Sequence, residues 1–130
     1  TDKIKILGEM KGWAYNAEKG LQLDTMRVLQ TAPSGVGHLI WAATMAWSLE
    51  MTPCKKARLL AIFDDQSQHN RLIKYFQKRR FCLLREVRSS LLDLPLRLIW
   101  GGAGSLMIGD CEEVFQHSYN LLKSSRLFKK

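Results

Sequence analysis

The chain opens on alternation. Lys3-Ile4-Lys5-Ile6 places polar and apolar residues on opposite sides of an extended backbone, and residues 3–15 read as a half-buried strand. "NAEKG" at 16–20 has turn composition. Residues 21–31 alternate again, with Leu21, Leu23, Thr25, Arg27 and Leu29 on one face. The two segments predict a hairpin. Pro33 then bars regular structure, and residues 37–51 predict a helix. Its apolar residues, Trp41 and Trp47 included, wrap most of its circumference, which predicts a mostly buried element with both tryptophans in a core or an interface.

"ARLLAIFD", 57–64, is a short apolar run of the kind an interior strand shows. Residues 64–81 predict a loop and then a basic amphipathic helix. "FCLLREVRSS" and "LPLRLIWGG" predict two further strands, and "GGAGS", 101–105, a flexible break. The order β-β-α-β-α-β-β describes an α/β or α+β fold, a central mixed sheet flanked by helices. Residues 1–110 form its domain, and residues 111–130 form a basic helical tail with a frayed end.

Composition sharpens little of this. At 130 residues and 46% hydrophobic content, one domain can build its core without staples. The longest apolar run, 35–47, is shorter than the roughly 20 residues a membrane span requires. No secretory signal opens the chain, and a start at Thr1 suggests a processed protein or part of a longer one. Cys54, Cys82 and Cys111 are odd in number and lack metal-ligand spacing, as reduced thiols in an intracellular reducing compartment would be. The net charge of +8 favours an anionic partner: nucleic acid, an acidic protein or a phosphorylated cofactor.

The stretch that chooses among these is "APSGVGH", 32–38. Gly35 and Gly37 stand between a strand and a helix, where bare N–H groups and the helix dipole can hold a phosphate. The same residues also suit a plain structural turn. They lack the Lys-Ser/Thr of a nucleotide P-loop and the third glycine of a dinucleotide fingerprint. In this context residues 21–100 resemble the GCN5-related N-acetyltransferase (GNAT) superfamily. Strand 21–31, "APSGVG" and the following helix are similar to that family's loop [QR]-x-x-G-x-[GA], and "HNRLIKYFQKRRF", 69–81, resembles its later helix signature. The general flavour is similar to acyltransferase-like proteins of cyanobacteria and plastids, which implies cytoplasm or chloroplast.

The resemblance implies an N-acyltransferase that binds acetyl-CoA and passes its acyl group to an amine, on a small molecule or a protein. It implies that Leu29, Gln30 and Thr31 line the thioester, and that Ser34, Gly35, Val36, Gly37 and His38 cradle the pyrophosphate. Phe76 and Lys78 would flank the cofactor, with Tyr75 and His69 as the candidate acid and base; His38 and His69 also suit plain capping or helix-start roles. The sequence departs from the pattern at Ala32, where Gln or Arg is usual, at Phe76, where a proton-donating Tyr is usual, at Arg80, where Gly is usual, and at His69, where Asn is usual. The family's first strand and first two helices have no counterpart after Thr1. These departures support a second expectation: a catalytically degenerate module, structural or regulatory in a larger assembly, whose basic surface meets an acidic partner or RNA. Here "KYFQKRR", 74–80, is either a solvated helix face or a nucleic-acid contact.

Overall fold

A computed structural model describes residues 5–15, 20–28, 31–33, 35–62, 66–88, 91–100 and 102–125. The hairpin is present with shifted ends: β1 runs Gly8–Ala14 and β2 runs Leu21–Val28, antiparallel. Ile6, expected in the first strand, is exposed chain ahead of it. Gly20 closes the hairpin at φ +71°, and its Cα lies so close to the Lys56 carbonyl that no side chain fits.

The predicted shared face of β2 holds only to Leu23. Gly12 pairs with Leu23 and Lys11 with Thr25, so Asp24 is an extra residue, a bulge. Beyond it the alternation shifts by one. Met26 packs against the core, while Arg27, expected on the inward face, is exposed.

Five strands form one mixed sheet in the order β1-β2-β3-β5-β4, with four helices flanking it. β3 (Lys56–Ile62) runs parallel to β2, but only Leu21–Leu23 pair with Ala57–Leu59. Past the bulge the two strands part. β5 (Gly104–Asp110) pairs with the whole of β3 and separates it from the edge strand β4 (Phe81–Val87).

Two expectations are corrected here. "LPLRLIW" is a helix, α3 (Leu94–Trp100), entered through a 3-10 turn at Leu91–Asp93. Pro95 sits in its first turn, where a missing N–H costs nothing. Asp93 anchors the entry by accepting from the Arg85 guanidinium at 2.6 Å and the Arg88 N–H at 2.8 Å. The last strand comes ten residues later: of "GGAGS", Gly102 and Ala103 are a break, Gly104 and Ser105 already belong to the strand, and Gly101 lies outside the described residues. Ser105 and Met107 face one side of β5 and Leu106 the other, all buried, as an inner strand requires.

The core lies on one sheet face: Leu21, Leu23, Ala57, Leu59, Ala61, Phe81 and Met107 meet Trp41 and Met45 of α1 (Val36–Met51). Ile73 and Phe76 of α2 (Gln66–Lys78) pack on the same cluster. α4 (Cys111–Lys123), within the expected tail, lies along α1 and buries Val114, Ser118 and Leu122. Its N-terminus is capped by Asp110, whose carboxylate accepts the Glu113 N–H at 3.2 Å. α1 is less buried than expected: Trp41 is 1% exposed but Trp47 is 49% exposed. The sheet and α4 cover two of its sides and leave the third to solvent. No helix among the described residues is long and apolar enough to cross a membrane.

Candidate functional site

The divergence of β2 from β3 leaves unpaired backbone donors and acceptors along two facing strand edges. A narrow crevice of about 60 Å³ lies there, walled by Leu23, Asp24, Thr25, Met26, Leu59 and Leu60, with Trp41 and Phe76 above. Beside it, sharing Met26, a shallower hollow of about 600 Å³ opens between Ile6–Glu9 and Arg27–Val28.

The N-terminus of α1 stands at the end of the chain path leaving β2. Thr31 and Ala32 turn the chain, and Gly35 is the N-cap at φ 104°, a left-handed conformation that favours glycine. The Val36 N–H donates to the Pro33 carbonyl at 3.3 Å, and the Leu39 N–H makes the first helical bond to Gly35 at 2.9 Å. Between them the N–H groups of Gly37 and His38 have no acceptor among the described residues. No side chain among the described residues caps this helix end, and its first turn holds no acidic residue.

Against this end lies a residue that the sequence reading assigned to a solvated face or a nucleic-acid contact. Arg79, just past α2, is 6% exposed. A Cβ on Gly37 would stand 3.8 Å from its Nη2. Its guanidinium lies 5.3 Å from the Tyr75 ring centre and 5.9 Å from that of Trp41, and Nη1 donates to Ser118 Oγ at 3.5 Å. Among the described residues no carboxylate pairs with it. Its neighbour Arg80 adopts φ 78°, a left-handed conformation that side chains other than glycine rarely take.

Two histidines lie near this cluster, and burial more than its charge lowers their pKa values. Burial first, then Arg79 and His117, hold the His38 imidazole below its ordinary range. Burial, then Arg80 and Arg79, do the same to His117 of α4. His38 Nδ1 is buried and makes no hydrogen bond among the described residues. A helix dipole and a buried guanidinium thus converge, both favouring negative charge, beside two histidines held neutral.

The candidate acid and base fall in different surroundings. Tyr75 is 37% exposed, and its oxygen accepts the Trp41 indole N–H at 3.0 Å, which leaves its own proton to donate. Phe76, not Tyr75, walls the crevice. His69, near the start of α2, is 8% exposed and its Nε2 lies 3.1 Å from Ser105 Oγ. That hydroxyl donates to the Glu86 carboxylate, 2.8 and 2.9 Å from its two oxygens, so it accepts from an Nε2–H of His69. This chain, buried at His69 and Ser105 and exposed at Glu86, stands at the end of the sheet where β2 and β3 diverge, since Ser105 pairs with Ala61 and Glu86 with Ser105. Lys78 is exposed at the end of α2. Leu29, Gln30 and Ser34, expected at the thioester and the phosphates, lie outside the described residues.

Arg79 and the Asp24 bulge are what the sequence reading missed. Leu72, Phe76 and Arg79 share one helical face by spacing, and that was the available signal. No family profile, no curated protein and no solved structure matches the chain.

Proposed function

We propose that this chain is an N-acyltransferase-like domain that binds acetyl-CoA, or another acyl-CoA, and transfers the acyl group to an amine. One observation carries the reading. The N-terminus of α1, without a side-chain cap among the described residues, and a buried arginine without a carboxylate among them converge beside two parallel strands that part after three paired residues. A buried cation with no counter-ion is costly, and an anion at the helix end would offset that cost.

The residues fit the ligand part by part. The Gly37 and His38 N–H groups and Arg79 suit the pyrophosphate, with Arg79 supplying from α2 the polar partner that the loop lacks at Ala32. The facing edges of β2 and β3 suit the amide-bearing pantetheine arm, and the small crevice under Trp41 and Phe76 suits a short acyl group. When bound, acetyl-CoA supplies an activated thioester. The protein then contributes position above all, since holding amine and thioester together replaces a bimolecular encounter. Tyr75, fixed by Trp41, is the candidate proton donor. His69 is the candidate base and would pass a proton along Ser105 to Glu86. Three free thiols suit a reducing compartment, cytoplasm or chloroplast.

A second reading rests on Phe76. The side chain that walls the crevice cannot donate a proton, which favours a module that holds an acyl-CoA without turnover. Calorimetric titration with acetyl-CoA tests both. Saturable heat in the native chain, weakened at least tenfold in Gly37→Glu, supports the site, and absence of heat at millimolar ligand ends it. Binding without acetylation of any amine in a substrate panel selects the second reading.

A further inference from the structure

We propose that the hollow between α3 and the outer face of the sheet binds a small monocarboxylate with an apolar body, of the size of a medium-chain fatty acid. The site is separate from the acyl-CoA reading. Strand alternation turns Gln22, Arg58 and Leu106 away from the main core, and α3 roofs them through Leu96, Ile99 and Trp100, with Tyr15 at the side. No residue of α3 among those described is buried, so the helix stands off the sheet rather than closing on it. The space beneath is about 330 Å³, within the lower range of small-molecule pockets. It has room for about ten non-hydrogen atoms at the roughly 30 Å³ a water takes in the liquid.

The polar groups in this hollow differ in one respect. Gln22 is engaged: its Oε1 accepts from Tyr15 at 3.3 Å and its Nε2 donates to Asp24 at 3.1 Å. Arg58 makes no hydrogen bond or ion pair among the described residues, and its Nε is shut off from water without a partner. Asp93, the acidic residue that leads into α3, is taken by Arg85. A guanidinium N–H desolvated and unmatched is costly, and the arginine fork matches a carboxylate bidentately. A single cation at the floor of a largely apolar hollow asks for one negative charge and a hydrocarbon body.

Octanoate, with ten non-hydrogen atoms, is the probe, titrated into the full chain and followed by NMR at the Trp100 indole and the amides of Gln22, Arg58 and Leu106. Saturable shifts at about 0.1–1 mM are expected for a ligand of this size. Octanol binds at least tenfold more weakly, Arg58→Met loses at least tenfold, Arg58→Lys falls between, and Leu96→Trp blocks the hollow. Gly37→Glu leaves octanoate binding unchanged, so failure here is distinct from failure of the acyl-CoA site. Octanol binding as tightly as octanoate, full affinity in a folded Arg58→Met, shifts centred on Ile6–Glu9, or no saturation would each overturn the proposal. The octanol comparison uses the native chain and stands even where a variant does not fold.

Discussion

Arg79 occupies a place just past α2 that packing reserves for hydrocarbon, between the rings of Trp41 and Tyr75 and the first turn of α1. Its contacts there are two aromatic faces and one long hydrogen bond, weak compensation for a buried charge. Arg79→Leu therefore stabilises the free protein, by about 1–2 kcal/mol in urea unfolding, while weakening acetyl-CoA at least tenfold. Opposite signs for stability and binding separate a ligand role from a packing role. His38 and His117 give a pH test. Their folded pKa values lie below the unfolded ones, so the unfolded chain binds more protons just below the ordinary histidine pKa. Stability is full above about pH 6.5 and falls as pH drops through that window. Unfolding curves at stepped pH should show the slope, and the double variant His38→Gln/His117→Gln should flatten it. A bound phosphate raises both pKa values, so acetyl-CoA binds more tightly as pH falls from 7 to 6.

At the scale of elements, the Asp24 bulge and the Ser105 network both lie toward the open end of the sheet. The bulge rotates β2 just where its pairing with β3 stops, and bulged strands twist more strongly than regular ones. The network ties three elements, α2, β5 and β4, through one hydroxyl that is 1% exposed. Ser105→Ala removes that hydroxyl and leaves His69 and Glu86 without it. A loss of about 1–3 kcal/mol in denaturant unfolding is expected. Thiol labelling reports on the same sheet. Cys54 and Cys111 are buried, burial pushes the Cys111 thiol up, and Cys82 is exposed on β4. A thiol reagent should label one cysteine per folded chain and three after unfolding.

At the scale of the whole molecule, α4 is part of the core layer. Val114 and Leu122 are buried against α1, at roughly 1.5–3 kcal/mol of transfer free energy each, a large share of the 5–15 kcal/mol typical of a domain. A chain ending at Asp110 should lose its cooperative thermal transition, read by near-ultraviolet circular dichroism. Much of the fold was legible beforehand because periodicity is local. Leu21 and Leu23, the helix of Val36–Met51 and the run at Lys56–Ile62 each declare themselves within a few residues. "LPLRLIW" did not, because six apolar residues around Arg97 fit a buried strand and a half-covered helix equally. Gly101–Gly104 read as a break because glycines mark turns, and only pairing to β3 and β4 makes Gly104 and Ser105 the head of the inner strand.

The candidate site divides in the same way. The glycine turn before α1 and the basic character of α2 are properties of consecutive residues, and the sequence alone determined them through backbone sterics and charge. Which strands pair, where they part, that Arg79 turns inward to Gly37, and that Arg58 lies under α3 depend on residues distant along the chain. Those outcomes are set by packing and desolvation between elements. Only the tertiary structure decided them.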